Sequence, residues 1–535
     1  MKKISASIKE WIPELFLTLS SGYSKNDLLS DVKAGFLVSV VAFPLFMTFA
    51  IASGVQPYIG LITCVIAGGL ASLLGGAKFQ IVGPTGAFTV IVFNIIQEHG
   101  IEGLSCALLI ASVMIALFGV LKLGNMVRYL PYPITSGFTA GIGLSIIAAQ
   151  LGCFLGLSIP SVPSNFFEKI YCYFCNLETM NVYSFVLGAS ALVFLQVMQK
   201  YKPDFPRYLL VLGAGIVYSL AFTNVGLETI GSKFGELSSA LPSASIPSKL
   251  LSLDFIRSIL PAAFSIAFLG AVENLLGAVI SDNLSGKTHR PNLELISQSI
   301  ANFVCALFGG IPATCALGTT SLNVKVGARS PISGLFNVAF IAAFMIFLGD
   351  LIKIIPMSCL SAMLISAAWN MAAFNRTKYI LFAPKSDSCV FIATIAITLL
   401  FDIVFAIEVG LVLSAFLFIR RSIEVINIET FVKNDEICNG EECEFVKIKG
   451  NLFFGAAPIF RNIWNNLPKT HNAIDIDMSD VAFIDVSGAK ELREFVSKAK
   501  SQNIEVHVTG LNDRTKHVLE KMDRRHLELY GHLHK

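Results

Sequence analysis

The chain has 535 residues, of which 54% are hydrophobic and 14% charged, with a formal net charge of +3 at pH 7 and a mean hydropathy of +0.68. A folded surface that apolar cannot be solvated by water alone, so a bilayer is the solvent for most of it. So small a net charge offers no footprint for nucleic acid. No GxSxG, P-loop or HExxH motif stands in a context that would serve it, so the chain is read as neither an enzyme nor an ATP-driven pump.

Residues 1–30 open with Lys2, Lys3, Lys9 and Glu10 around a short patch, Trp11 to Leu19. The patch is too brief and too interrupted for the h-region of a signal peptide, and reads as a cytoplasmic helix lying against the membrane. Apolar stretches then recur, clear at 34–54, 58–76, 102–121, 134–156, 183–198, 208–224, 259–281, 332–349, 388–405 and 407–419. Shorter or broken ones lie at 84–97, 294–308, 318–327 and 352–372, and both kinds together predict fourteen spans. Lys33, Lys78, Lys122/Arg128, Lys200/Lys202/Arg207, Lys287/Arg290, Lys325/Arg329, Arg376/Lys379/Lys385 and Arg420/Arg421 fall in alternate connections. Those connections are assigned to the cytoplasm, with both termini. The expected organisation is an N-terminal segment 1–30, a membrane domain 31–422 and a cytoplasmic domain 423–535.

Two segments interrupt the apolar pattern. Gln80-Ile-Val-Gly-Pro-Thr-Gly-Ala87 and Gly309-Gly-Ile-Pro-Ala-Thr-Cys-Ala-Leu-Gly-Thr-Thr320 each precede an unusually short span. Gly and Pro at membrane depth expose backbone groups, which is tolerated only inside protein or beside a cavity. One such segment in each half points to an inverted-repeat transporter with its site between them, although either alone reads as a surface turn. Half-helices starting at mid-membrane aim free N–H groups at the centre, each end carrying roughly half a positive charge. Two of them make an anion site without a basic side chain. The residues at those ends are Thr85, Gly86 and Ala87, and Leu317, Gly318, Thr319 and Thr320, with the threonines expected to add hydroxyl donors.

Glu273 interrupts the apolar run from Ala262 to Ile280. A charge at that depth costs roughly 3 kcal/mol on insertion scales, so an acid there is a functional candidate. Two readings stay open: a proton-coupling carboxyl that alternates between neutral and charged forms, or a structural carboxylate bonded to backbone amides. After Arg421 the composition changes. Phe445–Ile448, Ala473–Ile476 and Ile504–Val508 are expected as strands, and Ser487 to Lys500 and Asn512 to Met522 as helices, making a small α/β domain. The 11 cysteines show no zinc spacing, and His526, His532 and His534 read as a frayed end; no metal or cofactor is expected.

Several of these motifs resemble bacterial SulP anion permeases. Asp31-Val-Lys-Ala-Gly35, Pro44 and Phe49-Ala-Ile-Ala-Ser-Gly54 are similar to the first-span signature, and Gln80 to Gly86 to the third-span motif. Glu273-Asn-Leu-Leu276, Asn302-Phe303, Phe308 to Thr314, Asn323-Val324 and Gly327-Ala-Arg-Ser-Pro331 continue the likeness in order. The resemblance implies a polytopic α-helical membrane protein with a seven-plus-seven inverted repeat, a core domain moving against a gate domain, and a homodimer. It also implies that Leu45 and Phe49 line the site. Some members carry an Arg at the position of Thr319; its absence favours cation-coupled uptake over chloride exchange. Sodium–bicarbonate members pair an Asp at the Glu273 position with a Thr four residues on, where this chain has Gly277. The tail resembles STAS domains through Phe483-Ile-Asp-Val-Ser-Gly488, with Val486 where signalling members carry a phosphorylated Ser and Ser487 as a helix cap.

The function expected is secondary transport of a small anion, sulfate first and bicarbonate or a dicarboxylate otherwise, coupled to a proton. A sodium-coupled bicarbonate symporter and a non-transporting membrane sensor, whose STAS domain recruits a cytoplasmic partner, are the alternatives.

Overall fold

The computed structural model describes residues 10–522 except 126–130, 160–161, 164, 203–206, 223–224, 236–242, 373–378, 381, 383, 401–402, 425–426, 435–441, 454–456 and 467–472. Lys2, Lys3, Lys9, Arg128, Arg376 and the three C-terminal histidines lie outside the described residues. The backbone separates into two units, Met1–Leu411 and Val412–Lys535.

The first unit is helical. The N-terminal patch forms a short helix, α1 (Glu14–Ser20), which buries Leu15 and Thr18. It is tied down by Arg290, whose guanidinium pairs with Glu14 at 2.7 Å and also donates to the Ile12 carbonyl. Among the described residues fourteen apolar segments follow, as the sequence predicts. The first half holds α2 (Lys25–Ala52), α3 (Pro57–Leu74), β1 (Val82–Pro84) leading into α4 (Gly86–Val120), α5 (Tyr132–Leu155), a peripheral helix α6 (Phe166–Cys175), α7 (Val182–Tyr201) and α8 (Arg207–Ala221). The second half holds α9 (Leu253–Ser285), α10 (Pro291–Leu307), β2 (Ala313–Cys315) leading into α11 (Leu317–Lys325), α12 (Ile332–Phe347), α13 (Met357–Ala372), α14 (Lys385–Leu400) and the start of α15 (Ile403–Glu424), which continues into the second unit. The element α4 supplies two segments, because Gly100 turns the chain at φ 75°, a value that costs glycine little. By length and composition α2, α3, α4, α5, α7 and α9 are each long and apolar enough to cross a membrane.

Packing sorts these helices into two sets. In one, α4 packs along α9 and α10, and α2 along α12. In the other, α5 packs along α13 and α14, and α7 along α13. Each set draws on both halves of the chain, the organisation expected of core and gate.

Small residues set the close approaches. A Cβ on Gly35 would stand 2.6 Å from Phe336 Cβ, and one on Gly143 2.7 Å from the Ala368 carbonyl. Asp31, fully buried on α2, accepts from the Arg329 amide at 2.6 Å, the Ser330 amide at 3.2 Å, the Tyr23 hydroxyl at 2.6 Å and the Ser330 hydroxyl. One carboxylate thereby holds the first-span signature against the Gly327–Pro331 motif. Glu294 does similar work on α10, accepting from the amides of Gly76 and Ala77 at 2.7 and 2.8 Å.

In the second unit β3 (Asn427–Asn434), β4 (Glu442–Lys449), β5 (Ala473–Asp480) and β6 (Glu505–Thr509) form one sheet in that order; β3 is antiparallel to β4 and the other pairings are parallel. Helices α16 (Ala457–Asn466), α17 (Val486–Ser501) and α18 (Asp513–Met522) accompany it. Ala489, Leu492, Phe495, Val496 and Ala499 of α17 enter the core, as their spacing predicts. The cap of α17 is a correction: Asp485, not Ser487, accepts from the Gly488 amide at 2.7 Å. Asn512 caps α18 as expected, accepting from Arg514 and Thr515. The sequence reading missed β3 and α16.

Candidate functional site

The two interrupted segments meet. Strands β1 and β2 pair antiparallel in the register Val82↔Cys315, Gly83↔Thr314 and Pro84↔Ala313. Each leads at once into a helix, so α4 and α11 start from neighbouring points and run in opposite directions. Backbone groups left over at this depth find side chains. Asn302 accepts from the Ala313 amide at 2.8 Å and donates to its carbonyl at 2.9 Å. The Thr63 hydroxyl accepts from the Ile311 amide at 3.0 Å. Gly83 is required by contact, since the Phe46 ring lies 2.6 Å from where its Cβ would stand.

Neither half-helix is capped by a side chain: Thr85 before α4 and Ala316 before α11 both lack a capping hydrogen bond. The first-turn amides of Gly86 and Ala87, and of Leu317, Gly318 and Thr319, have no carbonyl of their own helix to pair with. Two partial positive ends therefore converge on one region of the membrane interior. Gly318 faces open space, with no atom within 4 Å of its Cβ position.

Glu273, buried on α9, takes part in the same region. Its Oε2 accepts from the Thr85 hydroxyl at 3.2 Å, the one hydrogen bond its side chain makes among the described residues. Among the described residues no backbone amide holds it, in contrast to Glu294. One turn on, a Cβ at Gly277 would lie 2.2 Å from Cys315 Sγ and 3.1 Å from Leu317 Cδ2. The start of α11 thus packs on the turn of α9 next to Glu273, and a threonine at position 277 has no room.

The wall opposite α4 is apolar. A Cβ on Gly86 would stand 3.0 Å from Ile146 Cδ1, 3.1 Å from Phe49 Cε1 and 3.3 Å from Met371 Sδ. Leu45 lies one turn before Phe49 on α2 and is half-buried. Phe49 belongs to one helix set, Ile146 and Met371 to the other. The sequence reading missed those two because each sits in an apolar run where core, lipid-facing and site positions look alike.

The threonine hydroxyls are a second correction. Thr319 donates to the Ala316 carbonyl at 3.0 Å, and Thr85 to Glu273. The Thr320 hydroxyl accepts from the Ile81 amide at 3.0 Å and its amide donates to Ala316, so Thr320 braces the strand pair instead of offering a donor. No group of three or more metal-ligating side chains occurs among the described residues.

Residues 28–394 match the model of the sulfate permease family, and residues 440–534 that of the STAS domain. The chain is 37% identical over 503 residues to the putative sulfate transporter YvdB of Bacillus subtilis, covering 94% of each. It is 26% identical over 520 residues to the bicarbonate transporter BicA of Picosynechococcus sp., covering 93% of this chain and 91% of the other. Among solved structures, the murine Slc26a9 anion transporter in its inward-facing state superposes with a TM-score of 0.86 at 19% identity, over 100% of this chain and 94% of that one. The transmembrane domain of a cyanobacterial BicA superposes with a TM-score of 0.64 at 26% identity, over 73% and 98%.

Proposed function

The chain belongs to the sulfate permease family and is a membrane-embedded anion transporter, not an enzyme; on that premise we propose that it takes up sulfate together with a proton. The observation that carries this reading is the bond between Thr85 and Glu273. It puts a carboxyl beside the amide end that receives the anion. An anion entering that region meets two helix ends that attract it and, when Glu273 is ionised, one carboxylate that repels it. A proton on Glu273 removes the repulsion, so anion and proton load together and leave together.

The anion is held by the first-turn amides of Gly86, Ala87, Leu317, Gly318 and Thr319, with Leu45 and Phe49 on one wall. The core set carries these groups, and Ile146 and Met371 of the gate set cover Gly86. Transport is an elevator-type slide of core against gate that carries the covered site past those two side chains. Sulfate is preferred to bicarbonate as cargo because of the likeness to YvdB, named a putative sulfate transporter. Sodium coupling is disfavoured by the Cys315 thiol that fills the space beside Gly277. The alternation of Lys/Arg-rich connections supports a reading with both termini in the cytoplasm of a bacterial cell. A homodimer and a cytoplasmic partner for the STAS domain complete the proposal.

The test is uptake by proteoliposomes of labelled sulfate, bicarbonate and a dicarboxylate, with and without an inside-alkaline pH gradient and with sodium replaced by potassium. Sulfate accumulation that follows the pH gradient and ignores sodium is expected. Accumulation that needs sodium, or the absence of uptake of any of the three, overturns the proposal.

A further inference from the structure

Lys169 has no role in the site described above. It lies on α6, the peripheral helix that follows α5 on the side opposite the Lys/Arg-rich connections. Phe167, Tyr171 and Phe174 share one exposed face of α6, at spacings of four and three. Lys169 and Tyr173, four apart, share the opposite face. Tyr173 is buried against α5, its hydroxyl donating to the Ala149 carbonyl at 3.4 Å and its ring meeting Gly152. Lys169 therefore points into the protein, away from the face that lipid would wet.

It points toward the helix that carries the anion site. Its Nζ lies 5.9 Å from the centre of the Phe93 ring. Phe93 is seven residues along α4 from Gly86, which puts the two on one helix face about 10 Å apart. That face, at Gly86, is the one covered by Ile146 and Met371 of the gate set. At its far end Phe93 rests on Gly54, whose Cβ position is 3.2 Å from the ring. Lys169 thus rides on α5 of the gate set and reaches across to Phe93, about two turns along α4 from the half-helix site.

It has no acidic partner there. Lys169 makes no ion pair and no side-chain hydrogen bond among the described residues; Glu168 beside it is exposed. On that side Lys233 pairs with Glu228 at 3.1 Å, Glu98 with His99 at 3.8 Å, and Lys249 with the His99 carbonyl at 3.5 Å, while Glu102 and Glu178 are exposed. Burial alone pushes the Lys169 ammonium below its ordinary range. A half-buried cation held only by an aromatic face is short of an anion.

We propose that Lys169 receives the incoming oxyanion at the mouth of the crevice between core and gate and passes it inward along α4 to the amide site. This rests on the reading of that site as the transport site. A fixed positive charge at a narrow, low-dielectric mouth raises the local anion concentration and the encounter rate. It acts on arrival and not on the translocation step.

The experiment uses the full chain in phosphatidylcholine vesicles, comparing wild type with Lys169→Gln and Lys169→Arg. For whichever of sulfate or bicarbonate is taken up, Lys169→Gln should raise KM about fivefold or more, leave kcat within about twofold, and flatten the dependence of kcat/KM on ionic strength. Lys169→Arg should behave as wild type. In parallel, labelling of wild-type Lys169 by a membrane-impermeant amine reagent, read by mass spectrometry, should slow severalfold in millimolar sulfate or bicarbonate while Lys249 labels at an unchanged rate. This second measurement needs no transport, so it still judges Lys169 if neither anion is carried or if Lys169→Gln folds poorly. Equal KM in all three proteins, labelling insensitive to both anions, or a KM change confined to vesicles containing phosphatidylglycerol would each overturn the proposal, the last by assigning Lys169 to a lipid headgroup.

Discussion

The hydroxyl of Thr85 stands 3.2 Å from Oε2 of Glu273 although 188 residues separate them in the chain. Thr85 precedes the first turn of α4, so the carboxyl and the amide donors of that turn share one geometry. Glutamine at 273 keeps the side-chain volume and its bond to Thr85 but has no proton to lose. Glu273→Gln should therefore bind anion nearly as wild type while uptake falls to the level reached without a pH gradient. Binding is read by isothermal titration and uptake at inside-alkaline and symmetric pH. Unchanged pH-driven accumulation would return Glu273 to a structural role.

Glu294 makes the control for that experiment. Glu294→Ala strips the Gly76 and Ala77 amides of their acceptor, which should cost about 3 kcal/mol of stability. It should appear as a lowered unfolding temperature in detergent, with pH-driven uptake per folded molecule retained. Loss of coupling without loss of stability would mean that Glu294 takes part in proton transfer.

A threonine at 277 would drive its Cβ into Cys315 Sγ. Gly277→Thr should destabilise by about 1–3 kcal/mol, as overpacked cores do. Adding Cys315→Gly should recover more of that loss than Cys315→Ala, because the Cys315 Cβ itself lies 2.6 Å from the Cβ position at 277. If the single variant is as stable as wild type, the thiol yields more readily than its packing suggests.

Thr319 sits in the first turn of α11, its hydroxyl spent on Ala316. Thr319→Arg would add a fixed positive charge where, on the proposed mechanism, Glu273 supplies neutrality by taking a proton. The variant should take up or exchange anion at symmetric pH, measured as counterflow. Strict dependence on the pH gradient in this variant would argue that the charge balance at the site is not what couples the two ions.

Residues 442–522 build their own apolar core, with Val446, Ile476, Leu492 and Val508 all buried in it. A chain ended after Glu424 should therefore still yield a folded membrane unit, monodisperse by size-exclusion chromatography. Aggregation of that fragment would show that the membrane unit needs the tail.

Legibility in the sequence followed the reach of each signal. The paired Gly/Pro segments and the acid within the apolar run Ala262 to Ile280 of α9 stand out because both violate what a lipid-spanning run allows, and each was readable from its own neighbourhood. The fourteen segments were legible for the same reason. What stayed hidden depends on partners distant in the chain. Nothing near Thr320 says that its hydroxyl meets Ile81, and nothing near Asp31 announces Ser330. Ile146 and Met371 look like any apolar residue until Gly86 is found beneath them. In the tail, the cap of α17 was misplaced by two residues because Asp485 and Ser487 are both good caps, and only the bond to Gly488 separates them.

The pairing of Val82–Pro84 with Ala313–Cys315 also dictates an order of events at the ribosome. Strand β1 leaves the translocon more than two hundred residues before its partner is made. Until then its polar backbone and the bare end of α4 must wait in the membrane, or in the grip of an insertase. The proposed anion site is consequently incomplete until the second half is under way, and a stalled nascent chain shorter than about 325 residues has a third span but only half of that site.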